Sequence, residues 1–175
     1  MKVITAPNEY KLQDGEISVF LAGGITNCPE WQKDIITRLE GLSTENLVVF
    51  NPRRDNFPID DPTAAYKQID WEFRQLEKVD IFSMYFSSGI SDQPICMYEL
   101  GRNIVKIQMR FPKDWENRII VSVEDGYKRK QDVLIQSDLA CGKKLIVNSQ
   151  INEDILKDYH AERIVKAYNK IKLVC

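Results

Sequence analysis

ISVFLAGGITNCPEWQKDIITRLEGLSTENLVVFNP, residues 17–52, decides the fold. It opens on a near-continuous apolar run over 17–23, as a strand buried on both faces requires. Gly23 and Gly24 end that run. Residues 29–42 then set Trp31, Ile35 and Leu39 at fourfold spacing, which predicts one apolar face of a helix. LVVF at 47–50 is a second buried strand, closed by Asn51-Pro52. A strand, a crossover helix and a strand make a parallel pair, because two parallel strands cannot be joined by a tight turn.

The same alternation runs on. Thr63 is a plausible N-cap for a helix to about residue 78. Strands follow at 79–86, 118–123 and 144–147, with helices at 96–108, 131–140 and 153–170. Met97, Leu100, Ile104 and Ile107 mark the inner stripe of the helix at 96–108. The pattern predicts one α/β domain with a five-stranded, mostly parallel sheet covered on both faces, flavodoxin- or Rossmann-like. Its core spans about 17–148, and a C-terminal helix occupies 151–170. Ligands of such sheets bind beyond the carboxyl ends of the strands. The informative loops are therefore 23–29, 51–62, 87–94 and 124–130.

Composition narrows the chemistry. The chain of 175 residues has 24 Lys+Arg against 26 Asp+Glu, and a sequence pI near 5.6. Such balance argues against a nucleic-acid polymer as partner, since that affinity comes from a basic surface. No run reaches the ~18–20 apolar residues that span a bilayer. The first ten residues lack the apolar core of a signal peptide. A cytoplasmic protein is expected. Cys28, Cys96, Cys141 and Cys175 are far apart, with no CxxC pair, and read as free thiols rather than a zinc or redox motif. His160 is the single histidine, so a catalytic site here runs on carboxylates or not on proton transfer at all. Set among charged residues, His160 itself reads as a surface side chain.

Several residues invite two readings. Gly23-Gly24 either lets backbone approach a ligand or packs a tight turn. AGGITN is neither GxGxxG nor a Walker loop. Ile69, Glu72, Phe73 and Leu76 fall at i, i+3, i+4 and i+7, which predicts an apolar stripe with a carboxylate on its border. Glu72 there either serves a site or pairs with nearby arginines. Asp70 reads as solvated. Asp92 is a natural helix N-cap. Glu99 lies off the apolar stripe of its helix and by composition alone is a solvated glutamate. Gly101 suggests close packing. Arg53 and Arg54 either clamp an anion or hold Asp55, Asp60 and Asp61. Tyr127, Lys128 and Arg129 follow the fourth strand in the same manner.

Five segments in order resemble the nucleoside 2-deoxyribosyltransferase family, in its deoxyribosyltransferase-like branch. They are VFLAGGI (19–25) with Trp31 after it, VVFNPRR (48–54), QIDWEFRQLEKVDIF (68–82), MYELG (97–101) and VEDGYKRKQDVLIQ (123–136). The resemblance implies the deoxyribosyltransferase fold, with Glu99 as nucleophile in its ELG tripeptide. Glu72 corresponds to an acidic residue that is often Asp in the family. The loop acid of the family sits six residues before the nucleophile. Here Asp92 is seven before, and Gln93 holds the sixth place. The resemblance puts Phe20, Ala22, Gly23 and Gly24 on the first substrate loop, where the family often has a tyrosine. Trp31, Arg53, Arg54, Gln68, Gln93 and Met97 complete the implied contacts. No cofactor and no metal is implied.

The chemistry suits the residue types. Retaining transfer of deoxyribose needs a carboxylate that attacks C1′ and later leaves, with an oxocarbenium-like transition state. The departing base needs a proton, from Asp92 or Glu72. The resemblance implies a homo-oligomer with shared active sites, acting on a nucleoside or nucleotide and a nucleobase. A nucleoside or 5′-monophosphate hydrolase is the first alternative, and paired arginines would suit the phosphate. A non-catalytic nucleotide-binding module is the second, since fold does not fix function.

Overall fold

Alternation along the strands divides the core into two layers. The computed structural model describes residues 1–173; Cys175 falls outside them. In β2 (Ile17–Gly23), Phe20 and Ala22 face one side of the sheet, and Val19 and Leu21 the other. In β4 (Ile81–Phe86) and β5 (Ile119–Val123), Phe82, Met84, Phe86, Val121 and Val123 join the first side. Ile81, Tyr85 and Ile120 join the second. Each fully buried Val, Leu, Ile, Phe or Met among them contributes about 1.5–3 kcal/mol.

Among the described residues the sheet has six strands, all parallel, in the order β1 (Lys2–Thr5), β3 (Leu47–Asn51), β2, β4, β5, β6 (Val147–Asn148). Four of the five predicted strands stand close to their expected places, with β3 at Leu47–Asn51. The last is shorter than expected: β6 is Val147–Asn148. The sixth, β1 (Lys2–Thr5), is an edge strand with an exposed face, so no buried run marks it in the sequence. Helices α1 (Trp31–Glu40), α2 (Ala64–Leu76), α3 (Pro94–Arg110), α4 (Lys130–Cys141) and α5 (Glu153–Lys172) fill the predicted intervals. α1 and α5 share the second layer. None of these helices is long and apolar enough to cross a membrane. Cys28, Cys96 and Cys141 are free thiols.

The face of α2 differs from the predicted stripe. Ile69 and Phe73 are 65% and 50% exposed, while Trp71 is fully buried. Trp71 packs on Phe20 and Phe50 at 6.0 and 6.1 Å between ring centroids, and its Nε1 donates to the Asn8 carbonyl at 2.9 Å. One indole buries more apolar area than Ile69 or Phe73, so Trp71 sets the rotation of the helix. Asp70 turns outward and holds Arg74 at 2.8 Å.

His160 is not on the surface; it is wholly buried. Leu156, His160, Ile164 and Tyr168 recur at fourfold spacing and line the inner face of α5. Its two ring nitrogens lie 2.7 Å from Ser83 Oγ and 2.7 Å from Ser122 Oγ. Those serines project from β4 and β5 toward the second layer. Burial, reinforced by the Arg163 charge, pushes the imidazole pKa down to about 3. The folded value lies below the unfolded one, so this contribution is intact above pH 6.5 and is lost as pH falls. From pH 7 to 5 it amounts to about 2 kcal/mol. Urea midpoints at the two pH values should show a pH-dependent loss in wild type that shrinks by about that much in His160→Gln. An unchanged difference would remove His160 from the acid response.

Candidate active site

Strand order reverses between β2 and β4: the chain leaves β2 toward β3 on one side and β4 toward β5 on the other. The crevice at such a reversal is where ligands of open α/β sheets bind. A cavity of about 230 Å³ lies there. Phe20, Ala22, Gly23 and Gly24 line it from the end of β2, and Ile25 and Thr26 from the loop after. Pro52 follows β3, and Ser91, Gln93, Pro94, Ile95 and Cys96 come from the loop and first turn of α3. Glu72 of α2 and Glu99 of α3 bring two carboxylates to one space.

The two acids shape each other. Glu99 stands in the second turn of α3, half-buried. Burial first, and repulsion from Glu72 second, push its carboxyl pKa up to about 7, against a smaller pull from Arg102. Burial also raises Glu72, opposed by a hydrogen bond from Gln68 Nε2 at 2.7 Å. The same Gln68 nitrogen donates to the Pro52 carbonyl at 2.7 Å, so Gln68 holds Glu72 against the loop after β3. Two carboxyls in one cleft, both raised by burial, keep their protons more readily than free acids do.

The glycine loop is built by its neighbours. Trp31 lies wholly buried under Gly23, stacked on Tyr85 at 5.0 Å, and its Nε1 donates to the Gly24 carbonyl at 2.9 Å. Gln93, at the N-cap of α3 in a left-handed conformation (φ 46°), links two loops. Its Oε1 accepts from the Gly24 amide at 3.2 Å, and its Nε2 donates to the Ser87 carbonyl at 2.8 Å. Arg53 reaches across to the same loop. It donates through Nη2 to the carbonyls of Ile25, Cys28 and Pro29 at 2.9, 3.1 and 2.8 Å, and through Nε to Gln32 Oε1 at 2.9 Å.

Other anticipated residues stand outside the cavity. Asp92 neither caps α3 nor lines the space; its carboxylate is 63% exposed and paired with Lys128 at 3.3 Å. Gln93, beside it, takes the inward place. Arg54 lies over the Phe57 ring at 5.4 Å. Met97 packs against the core. Tyr127 braces the loop by donating to the Asp92 carbonyl at 2.8 Å, and Arg129 pairs with Asp132. A Cβ at Gly101 would meet nothing within 4 Å beyond the backbone of its own helix, so close packing is not its role. Ile25, Thr26, Pro52, Ser91 and Cys96 were not singled out in the sequence, although they lie in or beside the loops that follow the strands. Among the described residues, no group of three or more His, Cys, Asp or Glu side chains is arranged to hold a metal ion.

A comparison with curated proteins returns no match. A family model described as nucleoside 2-deoxyribosyltransferase like matches residues 16–111. The match runs from the start of β2 to the end of α3 and contains both glutamates and the glycine loop; residues 123–136 lie beyond it. More than half of the chain is covered, in the part that builds the cavity: the chain belongs to the nucleoside 2-deoxyribosyltransferase-like family.

Proposed function

We propose that this chain cleaves the N-glycosidic bond of 2′-deoxynucleosides and passes the sugar to a second nucleobase through a deoxyribosyl ester on Glu99. The observation that carries the proposal is the pair Glu72 and Glu99 in one cavity at the strand-order reversal. A Glu99 oxygen attacks C1′, the C1′–N bond breaks, and its electron pair stays on the base. Glu72 gives the base its proton, since the Asp92 carboxylate is held on Lys128. In the second step the acceptor base attacks C1′, the Glu99 ester bond breaks, and the proton returns to Glu72. Mass spectrometry of protein mixed with a deoxynucleoside should show a deoxyribosyl adduct on Glu99. Turnover with no such adduct would refute the covalent route.

A neutral nucleoside suits the cavity better than its 5′-monophosphate. Among the described residues no Lys or Arg lines it, two carboxylates do, and Arg53 is engaged by carbonyls. Base release in water without an acceptor, faster with a 5′-phosphate, would favour the hydrolase reading.

The pH profile follows from the raised carboxyls. The reactive form carries one proton, on Glu72 and not on Glu99, so kcat/KM should pass through a maximum below about 7 and fall above it as the pair loses that proton. Glu72→Gln removes both the repulsion and the donor proton, so the fall above about 7 should give way to a single rise at lower pH, while departure of poor leaving groups slows by roughly 10²-fold or more. An unmoved limb would deny the coupling.

The outward face beside the cavity fits a second copy. Tyr66, Ile69 and Phe73 form one exposed stripe on α2, and Ile95, Tyr98, Val105 and Met109 another on α3. Arg102 lies over the Phe73 ring at 4.3 Å and joins the two stripes. Ile95 is also a cavity wall, so a partner on this face would close the cavity mouth. Light scattering should report a dimer or larger, and Ile69→Asp with Tyr98→Asp should dissociate it. A monomeric wild type would exclude the shared site.

A further inference from the structure

A second cleft, of about 410 Å³, opens at the opposite end of the sheet from the glutamate pair. Its floor is Ile120 at the start of β5, and one wall is Ile146 just before β6. The other wall is α5, which presents Tyr159, Arg163 and Lys166. Lys144 and Glu116 stand at the rim and pair with each other at 3.8 Å. That leaves Arg163 and Lys166 facing one further acid, Glu162, which is exposed on α5. Among the described residues, neither Arg163 nor Lys166 forms an ion pair.

Arg163 is the unusual member. It is half-buried, and its recorded partners are neutral oxygens: Nη1 donates to the Ile146 carbonyl at 2.7 Å and to Asn148 Oδ1 at 3.4 Å. A guanidinium withdrawn from water without a carboxylate is costly, and its remaining donors form a fork suited to an oxyanion. Burial lowers its pKa accordingly. Ile146 is 63% exposed and the Tyr159 side chain stands partly exposed beside it, which supplies an apolar surface next to the charge.

We infer that this cleft binds a small organic anion, with its phosphate or carboxylate on Arg163 and Lys166 and its body against Tyr159 and Ile146. The site is separate from the glutamate cavity and does not depend on the chemistry proposed there. Asn148 Nδ2 in turn reaches Ser122 Oγ at 3.4 Å, and Ser122 holds His160, so occupancy is tied to the buried polar network of the second layer.

The test is calorimetric titration of the whole chain with phenyl phosphate and with inorganic phosphate, at matched ionic strength. Phenyl phosphate should bind saturably, about tenfold more tightly than inorganic phosphate, and raise Tm. Arg163→Gln should weaken it about tenfold, and Glu99→Gln should leave it unchanged. Lys166→Gln, at an exposed position, decides the matter if Arg163→Gln fails to fold; a severalfold loss is expected. Glu162→Gln should tighten binding. The inference is overturned by no saturable binding up to about 10 mM, by equal affinity in the foldable cation variant, or by loss of binding in Glu99→Gln, which would place the probe in the other cavity.

Discussion

Glu99→Gln should lower turnover by about 10⁴-fold or more while the protein stays folded, because an amide cannot form or release the sugar ester. The same substitution should stabilise the chain at alkaline pH. Glu99 has a folded pKa of about 7, above its unfolded value of 4.5. A carboxyl raised in this way contributes fully below the unfolded value and loses that contribution as pH rises through the folded one. At pH 8 the ionised glutamate therefore costs stability, on the order of 2–3 kcal/mol, that a glutamine would not. Urea midpoints of the two proteins should diverge at pH 8 and converge toward pH 4. Loss of turnover with that divergence identifies a functional carboxylate kept at the expense of the fold. Retained turnover would remove Glu99 from the reaction, and parallel midpoints would deny the raised pKa.

Gly23→Ala should be the most damaging one-carbon addition in the chain. A Cβ there would stand 2.3 Å from the Tyr85 carbonyl and 2.5 Å from Trp31 Cζ2. Neither can yield: the carbonyl belongs to the backbone of β4, and the indole is fully buried and stacked on Tyr85. The residue also has φ of +151°, which an L side chain rarely adopts. A loss of roughly 3–5 kcal/mol is expected, with displacement of the Gly24 loop from the cavity. Gly101→Ala is the control. It sits in the middle of α3 with open space around it and should stabilise by up to about 1 kcal/mol. Midpoints that move alike in the two variants would contradict the steric account.

What was legible in the sequence depended on which interaction had to be satisfied locally. The strands at Ile17–Gly23 and Ile81–Phe86 were plain because both their faces are buried, and an unbroken apolar run leaves no other use. β1 was hidden because an edge strand needs only one apolar face. Helix intervals were clear, but the rotation of α2 was not. Three large apolar side chains competed for the interior, and the shape of the space beside Phe20 and Phe50 chose Trp71. His160 was misread for the complementary reason: its sequence neighbours are charged, but its fourfold-spaced neighbours Leu156 and Ile164 are core.

The candidate site divides in the same way. Carboxylates without imidazole were legible as a residue type from composition, and the strand-end loops from the strand–helix order, but Glu99 on its helix read as solvated and was picked out only by the family resemblance. Which polar residue enters the cavity was not legible. Asp92, Gln93 and Arg53 are all polar loop residues of suitable kind. Only the left-handed turn at Gln93 and the ring of carbonyls around Arg53 turn one acid outward and engage one cation with the backbone.

By itself, then, the sequence determined a parallel α/β sheet and which loops stand at the ends of its strands, because burial periodicity is written along the chain and constrains neighbours a few residues apart. The tertiary structure decided that Glu72 and Glu99 share one space, that their carboxyls are raised, and that His160 is core. Those properties arise from desolvation and from charges on separate elements. Their strength is set by distance and burial, which sequence separation does not record.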